Sequence, residues 1–150
     1  MAGFEPRDRD YRARTERSFA KQSFLGLMGA ELCRVEPGAV DIALPFKPAL
    51  VQQHGHVHGG ALTSIADTAA GYAAMTLASP GVGVLTTELK VNFLRPAGQG
   101  VLRAAARVIK PGRTLNIVQA DVTETRSDSD VHVLTGLVTI MFVEGIDWQG

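Results

Sequence analysis

One apolar segment, roughly Gly59 to Ala78, constrains the fold more than any other part of the chain. Apolar residues recur in it at helical spacing, and the turn Ser79-Pro80-Gly81 stops it. The spacing predicts a long helix with one buried face, formed by Leu62, Ile65, Ala66, Ala69, Ala73 and Leu77. Because the helix is rich in alanine, a curved sheet can pack closely around it.

Most of the remaining chain has the pattern of strands. Val40, Ile42 and Leu44 alternate with other residues, as in a half-buried strand. Short turns between long strands favour antiparallel pairing. The sequence therefore predicts an α+β fold, an antiparallel β-sheet wrapped around one long central α-helix. The predicted strands are Ala30–Val35, Ala39–Leu44, Val84–Leu94, Val101–Ile109, Thr114–Thr125 and Val131–Val143, the last preceded by the polar run 126–130.

The N-terminal region differs in composition from the rest. Residues from about Arg7 to Gln22 indicate a short charged helix, and Phe24 to Gly29 a connector. The length of 150 residues fits one main domain. We therefore expect an N-terminal extension over 1–23 and the main domain over 24–150.

Charge and composition exclude several function classes. Fifteen basic and fifteen acidic residues give no basic field for nucleic acid. No apolar run has the length of roughly 18 residues that a membrane helix needs, and the mixed-charge start of the chain is unlike a secretory signal. We expect a cytoplasmic protein without membrane contact. The single cysteine, Cys33, is interpreted as buried filler.

Asp67 is the one formally charged residue between Pro48 and Thr87, and it falls in the middle of the predicted helix. A buried carboxylate without a partner is costly, so something must offset that cost. Its helical neighbours are small, and none is a cation: Gly60, Thr63, Ala70, Gly71 and Ala74. Two interpretations stay open, a structural hydrogen bond to Thr63 or to a backbone group, and a functional carboxylate.

The predicted helix begins at His58-Gly59-Gly60. A helix N-terminus presents free N–H groups and a positive dipole end, and glycine lets a ligand approach the backbone. This start could stabilise an oxyanion, or the glycines could simply shape the loop. Gln52, six residues before His58, could hold a water or a carbonyl through its amide.

The alternation of His54, His56 and His58 raises the possibility of a metal site. No carboxylate or cysteine completes the set nearby, and Gly55 suggests a bent loop. We therefore expect no metal and no other cofactor.

Together these residues resemble the hotdog-fold thioesterases, specifically the PaaI-like branch. The stretch from Gln52 to Thr68 carries an amide residue, His-Gly-Gly and an Asp nine positions after the histidine, as in that family. Two further stretches match, Leu85–Ala97 and the basic turn Lys110–Thr114. The resemblance covers roughly residues 24 to 144.

The resemblance implies a hotdog fold that works as a homodimer, often as a dimer of dimers. It implies hydrolysis of an acyl-CoA thioester without a metal. Asp67 would act as general base or as nucleophile, and the Gly59 N–H would hold the thioester oxygen, assisted by His58. Gln52 would orient water or the thioester, and the Thr86 hydroxyl would help position the water. Contacts to the substrate or its CoA part are expected from Gly60, Thr63, Arg95 and Arg113.

Helix geometry adds an expectation about assembly. Gly59 and Asp67 are eight residues apart, about 12 Å along one helix, which an Asp side chain cannot span. Two such helices packed antiparallel across a two-fold axis would bring the start of one near the middle of the other. We therefore expect a shared site, with Gln52, His58 and Gly59 from one chain and Asp67 and Thr86 from its partner.

Two alternative functions remain. A hotdog enoyl-CoA hydratase or dehydratase would need a catalytic histidine paired with an acid, and the one candidate pair, His58 and Asp67, lies about 13 Å apart along the helix. A non-catalytic acyl-CoA-binding domain would bind the same ligand without turnover.

Overall fold

The computed structural model describes residues 3–127 and 129–146. In the described part, helices and strands follow one another in the predicted order, with one additional short helix near the N-terminus. Asp128 of the predicted polar run and residues 147–150 of the predicted main domain lie outside the described ranges. The elements are α1 Tyr11–Ala20, α2 Ser23–Met28, β1 Glu31–Glu36, β2 Ala39–Leu44, a 3₁₀ turn Pro48–Leu50, α3 Gly59–Met75, β3 Val82–Phe93, β4 Val101–Lys110, β5 Leu115–Arg126 and β6 Ser129–Glu144.

The six strands form one antiparallel sheet in the order β1-β2-β4-β5-β6-β3. Helix α3 packs against five of these strands, β2 to β6. This arrangement confirms the predicted α+β fold with a sheet around one central helix. Strand β3 lies at one edge of the sheet, so its outer backbone groups have no neighbouring strand among the described residues.

The core lies between α3 and the concave face of the sheet. Every residue of the predicted helical face is buried, and Ala66, Ala69 and Ala73 have an exposed fraction of 0%. Along β4, Leu102, Ala104, Ala106 and Val108 are buried in strict alternation with exposed residues. The short alanine side chains let the sheet come close to the helix, and the alternation then leaves the polar residues of β4 outside.

Two local predictions are wrong. The connector expected over Phe24–Gly29 is the short helix α2, which ends at Gly29 in the left-handed conformation (φ 80°). Six residues are too few to give a helical periodicity in the sequence. Cys33 is exposed, not buried. The pairing of β1 with β2 shifts register between Leu32 and Arg34, so Cys33 sits at a bulge that breaks the strand alternation.

The N-terminal segment is joined to α3 through Arg14. Its Nη1 donates to the carbonyl of Ser79 at 2.9 Å, and its Nη2 to those of Met75 at 2.9 Å and Ala78 at 3.2 Å. Asp8 lies 3.2 Å from the same guanidinium. Burial lowers the pKa of Arg14, and Asp8 opposes that shift. A cation at this position satisfies carbonyls at the negative end of the helix.

Candidate active site

Asp67 lies in the third turn of α3, where it is half-buried rather than fully buried. Its Oδ1 accepts a 2.7 Å hydrogen bond from the Thr86 hydroxyl on β3. The suggested hydrogen bond between Thr63 and Asp67 is not formed. The Thr63 hydroxyl donates instead to the carbonyl of Gly59, one turn earlier, at 2.9 Å. Asp67 is therefore held from the sheet and not from its own helix.

A bulge in β3 determines which hydroxyl reaches Asp67. The pairing of β3 with β6 shifts register between Thr86 and Glu88, next to this contact. The neighbouring Thr87 hydroxyl donates to the carbonyl of Thr139 at 3.2 Å instead. Bulges commonly redirect a side chain in this way. Two adjacent threonines therefore have different partners, and only Thr86 contacts the carboxylate.

The N-terminus of α3 is capped by His58. The imidazole Nδ1 accepts from the Gly60 N–H at 2.8 Å, and the Ala61 N–H donates to the His58 carbonyl at 2.9 Å. Within residues 3–127 and 129–146, no group accepts from the Gly59 N–H. Because Nδ1 is an acceptor here, the neutral ring carries its proton on Nε2. The helix start thus offers two donors, the Gly59 N–H and the His58 Nε2–H.

The loop before α3 forms a compact turn. Val51 and Val57 form an isolated antiparallel bridge, and the His58 N–H donates to the Leu50 carbonyl at 2.7 Å. Oε1 of Gln52 accepts from the His54 N–H at 2.6 Å. That bond occupies the amide oxygen of Gln52, so the amide can act toward a ligand as a donor through its nitrogen.

A buried carboxylate, Glu124, holds the neighbouring β3–β4 turn. Its Oε1 accepts from the N–H groups of Gly98 at 2.8 Å and Gly100 at 2.9 Å, and Oε2 accepts from Arg126 at 2.7 Å. Burial raises the pKa of Glu124, but the bonds from Gly100, Gly98 and Arg126 outweigh it and leave the pKa below its usual range. The β3–β4 turn also holds the loop before α3, because the Ala97 carbonyl accepts from the Val57 N–H at 3.1 Å.

The predicted residues form two groups on one chain. Gln52, His58, Gly59 and Gly60 lie at or just before the start of α3, whereas Asp67 and Thr86 lie seven or more residues away. Since a helix rises about 1.5 Å per residue, Gly59 and Asp67 are separated by about 12 Å along the axis. A single chain therefore holds two half-sites, a donor group and a carboxylate group.

The two predicted CoA-binding arginines lie at opposite ends of the sheet. The exposed Arg95 follows β3, beside the α3 loop, and its Nη1 donates to the His132 carbonyl at 3.2 Å. Arg113 lies in the β4–β5 turn, where it is exposed. That turn is about 30 Å from the β3–β4 turn, the length of β4. The β4–β5 turn lies at the same end of the sheet as Thr86. Thr86 pairs with Ile140, and Ile140 pairs with Asn116, which directly follows that turn at the start of β5.

A cavity of about 490 Å³ begins at Asp67 and Thr86 and runs along α3. Helical spacing from Asp67 and Thr68 could have indicated Gly71 and Tyr72 as lining residues. Nothing in the sequence indicates the contribution of α1 and the residues that follow it, because that contact is not local. The lining residues are Ser18, Lys21, Gln22, Asp67, Thr68, Gly71, Tyr72, Met75, Val84 and Thr86.

Two features are absent from the described ranges. No three His, Cys, Asp or Glu side chains in them are grouped so that they could hold a metal ion, and His54 and His56 are exposed. No helix there has the length and hydropathy to cross a membrane.

Comparison with known proteins agrees with this fold. The family described as "Thioesterase superfamily" matches residues 54–128, which include the start of α3, Asp67 and Thr86. A thioesterase family protein from Silicibacter pomeroyi is 38% identical and superposes with a TM-score of 0.88, covering 90% of this chain and 99% of that one. The acyl-coenzyme A thioesterase PaaI of Escherichia coli is 27% identical over 63% of this chain and 66% of its own length.

The fold and these matches define the class as thioester hydrolases. The chain belongs to the thioesterase superfamily, within its hotdog-fold, PaaI-like members. The fold of E. coli PaaI itself superposes with a TM-score of 0.82 at 19% identity, covering 91% of this chain and 95% of that one.

Proposed function

We propose that this protein hydrolyses acyl-CoA thioesters to the free acid and CoA, with Asp67 as general base. The observation that carries the proposal is the contact between Asp67 and Thr86. The Thr86 hydroxyl occupies Oδ1 at 2.7 Å, which orients the carboxylate and leaves Oδ2 for a water molecule. A carboxylate held through one oxygen is suited to taking a proton from water through the other.

In the proposed step, water attacks the thioester carbonyl carbon while its proton passes to Asp67. The carbonyl oxygen becomes negative, and the Gly59 N–H donates to it, with the His58 Nε2–H as a second donor. Each such donor typically contributes a factor of about 10²–10³. The C–S bond then breaks, the electron pair leaves on sulfur, and the thiolate takes the proton from Asp67. Gln52 orients the thioester or the water through its amide nitrogen.

Each active site in this proposal uses two chains. The separation of about 12 Å between Gly59 and Asp67 is too large for one carbonyl group to contact both within a chain. The exposed edge strand β3 offers a surface for the second copy, and it carries the exposed side chains of Leu85 and Phe93. One chain then supplies Gln52, His58 and Gly59, and its partner supplies Asp67 and Thr86. The expected assembly is a homodimer or a dimer of dimers.

Two further residues have proposed roles in binding CoA. Arg113 would contact a phosphate, since a guanidinium matches phosphate geometry and this side chain makes no hydrogen bond to a described residue. Arg95 and the backbone at Gly60 would lie along the same ligand near the start of α3. The Thr63 hydroxyl donates to the Gly59 carbonyl, so its proposed contribution is to stabilise the first turn of α3. No metal or other cofactor takes part in the proposed reaction.

The experiment that tests the proposed function is thiol release from a panel of acyl-CoA thioesters, from acetyl-CoA to octanoyl-CoA and phenylacetyl-CoA. Turnover that requires Asp67 supports the proposal. Single turnover in ¹⁸O-labelled water then tests the role of Asp67. A general base puts the label in the product acid, whereas a nucleophile whose mixed anhydride is opened by water at the Asp67 carbonyl leaves the label in Asp67 and none in the acid. Incubation with an enoyl-CoA tests for hydration, which the proposal does not predict.

A further inference from the structure

The cavity extends from the carboxylate along α3, in the direction that an acyl group would take. Asp67 and Thr86 lie at one end, and the lining continues past Tyr72 to Met75 and Val84. Tyr72 is five residues beyond Asp67, so it lies about 7 Å further along the helix axis. A thioester carbonyl placed at Asp67 would therefore bring the middle of its acyl group beside Tyr72. This placement rests on the proposed thioesterase function.

The wall at Tyr72 is polar, although the residue is only 4% exposed. The Tyr72 hydroxyl accepts from Gln22 Nε2 at 2.9 Å and lies 3.1 Å from Ser18 Oγ. Ser18 and Gln22 come from the end of α1 and the residue before α2, and both line the cavity. The N-terminal segment thus supplies three of the polar residues that line the cavity, Ser18, Lys21 and Gln22, and two of them contact the Tyr72 hydroxyl.

One hydroxyl proton of the Ser18–Tyr72 pair has no acceptor within the described ranges. The hydroxyls of Ser18 and Tyr72 carry two protons, and their mutual bond uses one, whichever group donates. Gln22 is itself a donor to Tyr72, so it takes neither proton. One O–H therefore remains that no hydrogen bond within the described ranges uses. Ser18 is half-buried and Tyr72 is buried, so an acyl chain in the cavity would shield this donor from water. The donor then needs an acceptor, and an unsubstituted alkyl chain has none to offer.

We propose that the acyl pocket selects acyl groups bearing a hydrogen-bond-accepting oxygen, a hydroxyl or carbonyl, about 7 Å beyond the thioester carbon. The Ser18–Tyr72 hydroxyl pair donates to this oxygen, and Gln22 orients the pair. The N-terminal segment is then a specificity element of the enzyme. An alkyl chain of the same length leaves the donor unpaired. Its kcat/KM should therefore be roughly tenfold to a hundredfold lower than that of the oxygen-bearing chain.

The test uses matched pairs of acyl-CoA thioesters from butyryl to octanoyl, each with and without a terminal hydroxyl. Wild type is compared with the double variant Ser18→Ala/Tyr72→Phe, which removes both hydroxyls with little change in volume. Arg17→Ala is the control, because Arg17 is an exposed residue of α1 that does not line the cavity. Thermal unfolding checks that each variant folds. If the double variant does not fold, the matched pairs in wild type alone decide the question.

We expect wild type and Arg17→Ala to prefer one hydroxylated chain length about tenfold or more over its alkyl match, and the double variant to lose that preference. Equal turnover of both members of every pair by wild type would overturn the proposal, as would a preference that survives in the double variant. If no thioester is hydrolysed at all, the proposed function fails instead. Calorimetric binding of the same pairs then tests the selectivity without turnover, and equal affinities would overturn it.

Discussion

The Thr86 hydroxyl on β3 lies 2.7 Å from Oδ1 of Asp67 on α3, and this contact joins the edge strand to the central helix at the candidate carboxylate. Because it fixes one carboxylate oxygen, it also fixes where the second can hold a water. Misplacement of a reacting group by about 1 Å can cost about 100-fold in rate.

Replacing Thr86 with valine should lower kcat about tenfold to a hundredfold and leave KM nearly unchanged, because the carboxylate loses its orientation and not its charge. Steady-state kinetics measures this. Thr87→Val is the matched control, since the Thr87 hydroxyl contacts the Thr139 carbonyl and not Asp67. Equal losses in the two variants would contradict a specific role for Thr86.

The Asp67→Asn variant should lower kcat by about 10²–10⁴-fold, the usual span for a positioned base. The fold should survive, because Asp67 is half-buried and its one hydrogen bond to a described residue comes from Thr86. Thiol release measures the rate, and thermal unfolding the stability. Asp10→Asn, at an exposed position, is the control. Near-normal turnover would remove Asp67 from the mechanism, and loss of folding would favour a structural role.

Mixing two inactive variants tests the shared site. Gln52→Ala and Asp67→Ala are co-expressed with different tags, and the heterodimer is purified. If Gln52 and Asp67 of one site come from different chains, one site holds both defects and the other holds none. The heterodimer should then recover roughly half the wild-type activity. An inactive heterodimer would mean that both residues act within one chain.

Glu124→Gln should lower the free energy of unfolding by about 2 kcal/mol at neutral pH, because a buried carboxylate with charge-assisted bonds is lost. The folded state holds the pKa of Glu124 below its usual range. Its contribution is therefore present above the unfolded pKa, about 4.3, and is lost as the pH falls through the folded value.

Urea unfolding at a series of pH values measures this difference. The gap between wild type and Glu124→Gln should be constant near neutrality and should shrink below about pH 4. Glu16→Gln, at an exposed position on α1, should show no such gap. A gap that is independent of pH would contradict an ionised Glu124.

Arg113→Ala should raise KM for acyl-CoA several-fold, about what one exposed charge contact contributes, with little change in kcat. The salt dependence of KM should also weaken. An acyl thioester of N-acetylcysteamine, which has no phosphate, should react alike with both proteins. Arg9→Ala controls for net charge. A KM unchanged at low salt would leave Arg113 as a solvated turn residue.

The parts of the molecule that could be predicted from sequence are those fixed by local pattern. The face of α3 and the position of Asp67 follow from spacing within one helix. The apolar neighbours of Cys33 predict a position in the core, whereas a bulge in strand pairing leaves it exposed. The polar wall formed by Ser18 and Gln22 depends on where α1 packs, and no spacing in the sequence encodes that contact.

Both ends of α3 are closed by side chains that lie outside the helix. His58 caps the start, and Arg14 binds three carbonyls at the end. Helix ends that lack such partners fray and exchange their amide hydrogens with solvent quickly. In this protein the amides in the last turn of α3 should exchange slowly, nearly as slowly as those in its centre. Slow exchange at the C-terminal end would then report on the docking of α1, so deuterium uptake by α3 becomes a measure of whether the N-terminal segment is in place.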